Sequence, residues 1–449
     1  MPAQPALKKV LSFWDVLVIA MGQIIGAGVV ALTGIAIGMT GPAVIFAYPV
    51  SAVLVLVVTI LIMMAGTVLP ATGAYYAWAS RLGNGWLGSM LLSLSLLASV
   101  SISLYGSSFG LYLNPIFPAL SVNAWGIVII IVLFGANLFG LKIASKVQMG
   151  LVLMLISALA VYAGFAMPNV DTSRLTPMLP NGIVGFITAV FLLKFATSGA
   201  YMIVGISGEM HNPKKVIPVV MTIATVTVAV IYSFVALSAV GTVPWQDMID
   251  QPLTVAGKTF LPSWAFTYFL IAGAGLAICT TLNSQFIQLP RSYIVASWDG
   301  LIPEWIGTLN RFGAPYFVLI IMLIVGITPL VADLDIGTIA RAATISATFP
   351  AFIVYWVVTR IPDRYPEAYA RSIFKMNRFW LWTLFLISEL SSVVGVYFLA
   401  QDLPSTVIIT ILVWVSLSVC YYPLRRSYLR KKGIDLDANT QNPSIFETG

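Results

Sequence analysis

Apolar stretches long enough to cross a bilayer recur along almost the whole chain. A helix needs about 20 apolar residues to span the ~30 Å hydrocarbon core. Of the 449 residues, 59% are hydrophobic and only 9% are charged, which is more apolar surface than a soluble domain can bury. The sequence therefore predicts an all-α polytopic membrane protein with about twelve transmembrane helices, near 13–39, 43–69, 86–113, 122–140, 147–167, 183–206, 216–241, 263–289, 315–332, 337–359, 379–400 and 404–423.

The basic residues predict how these spans are oriented. When the connections are numbered alternately, the Lys and Arg residues concentrate on one side; only Arg174 and Lys258 fall on the other side, and Lys194 and Arg341 lie within spans. This asymmetry follows the positive-inside rule, so we expect both termini in the cytoplasm and the protein in the cell (inner or plasma) membrane. The net charge of +7 thus indicates orientation rather than a nucleic-acid partner.

Two of the predicted spans contain clusters of small residues at matching places in the two halves of the chain. The first is Gly22-Gln-Ile-Ile-Gly26-Ala-Gly28, and the second is Ala196-Thr-Ser-Gly199-Ala-Tyr201. Unwound backbone survives in a bilayer only where it lines a cavity, so paired interruptions are the best sequence indicator of a carrier's binding site. The pattern predicts two discontinuous helices around one site.

The first glycine cluster has a second interpretation. The spacing Gly22-x-x-x-Gly26 also suits close helix–helix packing, which is a common use of glycine in membranes. Two glycines and an alanine at 26–28, however, weaken the helix more than packing requires. The free N–H groups of a new half-helix there would suit a carboxylate.

The positions of the two clusters predict an internal repeat. Spans one to five (12–167) and six to ten (182–360) each begin with a glycine-broken span. Because five is odd, the second group enters the membrane from the opposite side, and the repeats are inverted. Residues 1–11 form a cytoplasmic N-terminus, 376–424 two appended spans, and 425–449 a cytoplasmic tail, whose polar part from Ser427 is predicted to be disordered.

Ionisable residues within the spans are candidates for gating or coupling, because a charge at membrane depth is costly. Lys194 precedes the second cluster, and we expect it either to bind an acidic group or titrate during transport, or to snorkel or pair structurally. Glu389 lies in the eleventh span, where proton coupling is one possible role and hydrogen bonding to neighbouring serines is another. The eighth span offers oxygens for a sodium ion from Thr280, Thr281, Asn283 and Ser284, although helix–helix hydrogen bonding is the favoured interpretation.

Several motifs in order carry a family resemblance. Phe13-Trp14-Asp15 is followed by the first glycine cluster, and Phe195-Ala-Thr-Ser-Gly by Gly208-Glu-Met-His-Asn-Pro-Lys-Lys-Val-Ile-Pro218. Asp299-Gly-Leu-Ile-Pro303 and Arg311-Phe-Gly-Ala-Pro315 come after the eighth span. Together these motifs resemble the amino acid–polyamine–organocation (APC) transporter superfamily, in particular its prokaryotic-type amino acid permeases.

The resemblance implies a LeuT-like 5+5 inverted repeat in which helices 1 and 6 are discontinuous. It implies that N–H groups of Gly26, Ala27 and Gly28 bind a substrate carboxylate. Carbonyls of Ile24, Phe195 and Ser198 would bind the amino group, with Phe195 also as an aromatic gate. The residues that complete the implied site are Thr197, Gly199, Ala200 and Tyr201.

The function predicted is secondary active transport of amino acids, neutral or small ones first, by alternating access. Acidic amino acids and amines or polyamines are alternatives, the last disfavoured because the central spans carry no carboxylate. A non-transporting amino acid sensor also fits. We expect no enzyme, metal or organic cofactor, a proton or sodium as coupling ion, and a monomer or homodimer. Import or export, and exchange or ion coupling, are left open.

Overall fold

The protein is almost entirely helical. The computed structural model describes residues 9–114, 117–334, 336–400 and 403–446, and the side chains of Ala27, Phe195 and Arg341 are outside that description. Within these ranges, β-type pairing is limited to two isolated bridges, Leu11 with Met210 and Thr72 with Ile206. The fold class is therefore all-α, as predicted.

Twenty-one α-helices follow one another along the described chain. They are α1 (Phe13–Ile24), α2 (Ala27–Thr40), α3 (Val44–Val68), α4 (Ala74–Trp78), α5 (Gly85–Ala98), α6 (Ser101–Leu113), α7 (Val122–Leu138), α8 (Leu141–Ala166), α9 (Gly182–Thr197), α10 (Pro213–Thr242), α11 (Thr254–Phe260), α12 (Ser263–Tyr268), α13 (Leu276–Gln288), α14 (Pro290–Trp298), α15 (Tyr316–Val331), α16 (Ile336–Val358), α17 (Ile361–Arg364), α18 (Pro366–Ala370), α19 (Arg378–Ala400), α20 (Ser405–Arg430) and α21 (Leu436–Thr440). A π-helical turn, Phe269–Gly275, joins α12 to α13.

Several helix starts follow from local capping chemistry. Ser12 and Asp15 form a capping box at the start of α1, in which each side chain bonds the other residue's backbone N–H. Asn84 caps α5 through the N–H of Leu87. Ser12 and Asp15 thus fix the residue at which the first helix begins.

Helical segments run through every one of the twelve ranges that the sequence analysis gave as spans. Among the residues that the structure describes, six helical stretches are long and apolar enough to cross a membrane: Leu32–Val68, Gly85–Leu113, Leu141–Asn169, Pro213–Thr242, Ser263–Trp298 and Ser405–Arg430. Large apolar side chains such as Leu386, Leu390 and Leu417 are exposed, which suits contact with lipid rather than water. The chain is a multi-pass membrane protein.

The two broken helices pack against each other on both sides of their interruptions. Helix α1 contacts the segment Ala200–Gly205, which follows α9, and α2 contacts α9 itself. Helices α8, α10 and α13 pack around α1, while α3 packs on α9 and α10. This arrangement brings the two interruptions side by side.

One end of the bundle, here called the basic end, gathers Arg81, Lys142, Arg291 and Arg425. Arg81 forms two hydrogen bonds of 2.6 and 2.8 Å with Asp299, and both side chains are 0% exposed. Arg291 is paired with Glu209 at 2.9 Å, Lys142 with Asp15 at 3.3 Å, and Arg425 donates to the carbonyl of Gly300 at 2.9 Å. These contacts join segments from many parts of the chain.

The tail is ordered where the structure describes it, so the prediction of disorder from Ser427 is wrong. Helix α20 continues to Arg430, and α21 is followed by a 3₁₀ turn, Pro443–Phe446. Leu436 and Ile445 are buried, and the carbonyl of Asn442 accepts a 3.0 Å hydrogen bond from Arg81 Nε. The apolar side chains among the polar ones give the tail a surface that docks on the basic end.

Candidate functional site

The first broken helix is interrupted at Ile25 and Gly26. The last hydrogen bond of α1 runs from Ile25 N–H to the carbonyl of Met21, at 2.8 Å. Both Ile25 (φ −79°, ψ 91°) and Gly26 (φ −125°, ψ −154°) have extended conformations, and α2 begins at Ala27. The interruption therefore lies within the predicted cluster, and the first N–H groups of α2 have no partner within the helix.

Hydroxyl groups of α13 satisfy the carbonyls that the interruption frees. Thr280 Oγ1 donates to the carbonyl of Ile25 at 2.9 Å, and Thr281 Oγ1 donates to that of Gly22 at 3.1 Å. A Cβ on Gly26 would lie only 2.5 Å from Thr281 Oγ1, so the close approach of α13 requires glycine there. Ser284 Oγ reaches the carbonyl of Ile19 at 3.4 Å. The favoured interpretation of these hydroxyls, hydrogen bonding between helices, agrees with these contacts.

The second broken helix is interrupted at Ser198 and Gly199. Helix α9 ends at Thr197, and a 3₁₀ segment, Ala200–Gly205, continues the chain. Gly199 has φ of 134°, a conformation that only glycine adopts without strain. Thr197 Oγ1 bonds the carbonyl of Leu193 at 3.0 Å and lies 3.0 Å from Ser51 Oγ, so its hydroxyl is used within the packed helices.

The two interruptions face each other across a very short distance. A Cβ on Gly28 would lie 2.9 Å from the Cα of Ala196, and a Cβ on Gly199 would lie 2.9 Å from the carbonyl oxygen of Gln23. The backbone of the predicted site residues 24–28 and 195–201 is thus gathered into one region. Within it Ala200 is buried and Tyr201 is half-buried.

Gly22 and Gly26 serve the two purposes that the sequence left open. A Cβ on Gly22 would lie 1.7 Å from Gln148 Nε2 of α8, so Gly22 provides for close packing. Gly26 lies in the interruption itself. The two interpretations of the glycine spacing therefore apply to different glycines of the same motif.

A row of three amide side chains lies behind the first interruption, and the sequence analysis missed two of them, Gln148 and Asn137. Gln148 Nε2 donates to the carbonyl of Thr280 at 3.1 Å, and Gln148 Oε1 accepts from Asn283 Nδ2 at 2.8 Å. Asn137 Nδ2 in turn donates to Asn283 Oδ1 at 2.8 Å. Amides within apolar spans were the available signal, because a buried amide must find partners.

The second interruption also has a partner that the sequence analysis missed. Tyr75 of α4 donates from its hydroxyl to the carbonyl of Tyr201 at 2.8 Å. Beneath both interruptions, Gln288 Nε2 lies 3.5 Å from Gln23 Oε1. Neither Tyr75 nor Gln288 belongs to a motif, and only the packing of α4 and α13 brings them to the site.

The two charged coupling candidates are found at α19, since Glu389 belongs to this helix and Lys194 contacts it. Lys194 Nζ donates to Ser391 Oγ at 2.8 Å, so it has the structural partner that was one of its two interpretations. Glu389 is half-buried, and in the described part of the chain its Oε1 has no hydrogen-bond partner. The hydrogen-bond partner of Lys194 thus lies on α19, whereas those of Thr280 and Thr281 lie at the first interruption.

Comparison with known proteins identifies relatives along almost the full chain. The model of the amino acid permease family matches residues 11–417. An uncharacterized transporter, YdgF, of Bacillus subtilis is 24% identical over 94% of this chain and 97% of its own, and the methylthioribose transporter of the same bacterium is 22% identical over 96% and 95%. The cationic amino acid transporter 3, mitochondrial, of Arabidopsis thaliana is 25% identical over 68% of this chain and 54% of its own. On these matches the chain belongs to the amino acid permease family of the APC superfamily, a family of membrane transporters.

Proposed function

We propose that this transporter moves small neutral amino acids across the cell membrane by alternating access, around the site between the two interruptions. The observation that carries the proposal is the contact of the two interrupted helices, Gly28 against Ala196 and Gly199 against Gln23. Free N–H groups at the start of α2 suit a carboxylate, and the carbonyls that end α1 and α9 suit an ammonium group. An amino acid carries both groups on adjacent atoms.

The proposal includes a LeuT-like topology of twelve spans in two inverted repeats, 12–167 and 182–360. Its support is the antiparallel pairing of the broken helices, in which α1 packs on the segment after α9 and α2 packs on α9. Leu11 N–H bonds the carbonyl of Glu209, and Asn442 contacts Arg81, so residues from both ends of the chain meet at the basic end. By the positive-inside rule we assign the basic end to the cytoplasm.

For the coupling ion we propose sodium, bound where α13 meets the first interruption. The oxygens available are the carbonyls of Gly22, Ile25 and Ala277 and the hydroxyls of Thr280 and Thr281. In the structure the hydroxyls donate hydrogen bonds of 2.7 to 3.4 Å to these carbonyls. Unwound carbonyls and half-helix ends are the groups that bind sodium in transporters of this architecture. A proton on Glu389 is the competing assignment.

The experiment is uptake of radiolabelled amino acids into vesicles that contain the purified protein. A panel of neutral, acidic and cationic amino acids and polyamines is tested with a sodium gradient, a proton gradient or neither. We expect neutral amino acids to accumulate and the sodium gradient to raise their uptake. Binding of the amino acid without transport of the label would identify a sensor and contradict the proposal. Uptake that responds only to the proton gradient would contradict sodium as the coupling ion and favour a proton carried by Glu389.

A further inference from the structure

Gln288 is a buried amide with an unused acceptor. It is the last residue of α13 and is 3% exposed. Its Nε2 lies 3.5 Å from Gln23 Oε1, whereas its Oε1 has no hydrogen-bond partner among the residues that the structure describes. Most buried polar side-chain atoms in proteins have a partner, and an unmade hydrogen bond at such an atom is destabilising, so the orphaned oxygen calls for an explanation.

The amide pair lies directly beside the second interruption. A Cβ on Gly199 would be 3.0 Å from Gln23 Cγ, so Gln23 is in contact with the residue at which α9 becomes a 3₁₀ segment. Gln23 is also the residue before the last one of α1. Both interrupted helices therefore meet the Gln23–Gln288 pair.

The depth of Gln288 follows from helix geometry. Gln288 comes seven residues after Thr281, which is close to two turns of α13 and brings the two residues to the same helix face. Thr281 is level with the first interruption, and α14, which follows α13, carries Arg291 of the basic end. Gln288 therefore lies between the proposed substrate site and the basic end.

Among the described residues, no other side-chain amide has a fully buried atom without a hydrogen-bond partner. Gln148 uses both ends of its side chain, with Nε2 on Thr280 and Oε1 on Asn283. Asn283 and Asn137 continue that row with bonds of their own. The unused oxygen of Gln288 is thus a property of its location and does not follow from burial of an amide in these spans.

We propose that Gln288 Oε1 accepts a hydrogen bond from the ammonium group of the amino acid as it passes between the central site and the basic end. An amide oxygen can only accept, and an ammonium group brings three donors and no acceptor. Gln23 orients Gln288 by holding its Nε2. This inference rests on the proposed function, and it adds a contact on the cytoplasmic side of the site.

The test is to measure the half-saturating substrate concentration separately from each face of vesicles with uniformly oriented protein. For Gln288→Leu we expect a rise of about tenfold or more at the basic face, from the loss of one hydrogen bond to a charged donor, with little change at the opposite face. Gln288→Glu keeps acceptor oxygens but loses the Nε2 that Gln23 holds, so it is expected to shift the basic-face value less than Gln288→Leu does. If Gln288→Leu does not fold, Gln288→Met is measured in its place.

One control variant and one further test variant accompany this measurement. Thr40 Oγ1, at the end of α2, is another buried oxygen without a partner in the described ranges, and Thr40→Val is expected to leave the basic-face value unchanged. Gln23→Leu frees Gln288 Nε2 and is expected to shift the same face in the same direction. If folded Gln288→Leu shows an equal change of the half-saturating concentration at both faces, or no change, the role of Gln288 is contradicted. The proposed function stands in that case as long as the unmodified protein transports substrate. Loss of uptake in the unmodified protein would instead contradict the proposed function.

Discussion

The two interruptions differ in what keeps the backbone open. At the first, two α-helices are separated by Ile25 and Gly26, and threonine hydroxyls from α13 satisfy the freed carbonyls. At the second, an α-helix passes into a 3₁₀ segment through Gly199, whose positive φ sets the turn. One interruption depends on a neighbouring helix, and the other depends on its own glycine.

This difference suggests a division of work between the two interruptions. Hydroxyl and carbonyl oxygens concentrate at the first interruption, which suits a cation. At the second, Tyr75 and Gln23 supply the contacts, which suits the polar groups of a substrate. We therefore expect substitutions of the α13 hydroxyls at the first interruption to alter ion dependence, and substitution of Tyr75 at the second to alter substrate affinity.

The largest expected effect concerns the contact between the two broken helices, where Gly28 of α2 packs on Ala196 of α9. In Gly28→Val the new Cβ would lie 2.9 Å from the backbone Cα of Ala196, which cannot move aside as a flexible side chain can. We expect uptake to fall by about a hundredfold or more, as overpacking of about 3 kcal/mol would produce. Gly150→Val in α8 is the matched control, since no atom lies within 4 Å of its Cβ position. Normal uptake by a well-expressed Gly28→Val protein would contradict the site.

Thr281→Val separates the first interruption from the second. It removes the hydroxyl that bonds Gly22 and is shared with Ile25, while keeping the shape of the side chain. We expect the half-saturating sodium concentration to rise about tenfold, measured as sodium-dependent uptake. Thr197→Val, at the second interruption, is the control and should leave the sodium response unchanged. An equal change of the half-saturating sodium concentration in Thr281→Val and Thr197→Val would contradict the proposal that the two interruptions have different roles.

Tyr75→Phe tests the second interruption alone. The variant removes the hydroxyl that donates to the carbonyl of Tyr201 at 2.8 Å and keeps the ring. We expect substrate affinity to weaken about three- to tenfold, the usual worth of one such bond, with an unchanged sodium response. Equilibrium binding at several sodium concentrations measures both quantities. A changed sodium response with unchanged substrate affinity would reverse the assignment.

The smallest expected effect is that of Lys194, outside both interruptions. Because Lys194 Nζ is bonded to Ser391, we expect Lys194→Met to lower thermal stability modestly and to leave the pH dependence of uptake unchanged. The coupling energy between Lys194→Met and Ser391→Ala, taken from a double-mutant cycle, should be about 1 kcal/mol. A changed pH dependence of uptake would instead favour the alternative that Lys194 titrates during transport.

The sequence predicted where the helices lie and where they are interrupted, because both depend on local composition. Apolar runs predict the helices, and glycines within small-residue clusters, such as Gly26 and Gly199, predict the interruptions. The capping box of Ser12 and Asp15 was likewise readable from spacing alone. Such features need no knowledge of which helices are neighbours.

The partners of the interruptions were not predictable, because they come from helices distant in sequence. Gln148, Gln288 and Tyr75 reach the site only through the packing of α8, α13 and α4. Composition also misled at the tail, where scattered apolar residues such as Leu436 and Ile445 find a docking surface that only the folded bundle provides. Polar sequence predicts disorder only where no such surface exists.

The docked tail has a consequence for biosynthesis. The guanidinium of Arg81, near the second span, obtains one of its hydrogen-bond acceptors from the carbonyl of Asn442. During translation, hundreds of residues separate the appearance of that charge from the arrival of the peptide that covers it. Until the ribosome has delivered residues 436–446, Arg81 lacks this acceptor and the surface on which the tail docks is uncovered, and we expect a reporter fused within that stretch to keep it so.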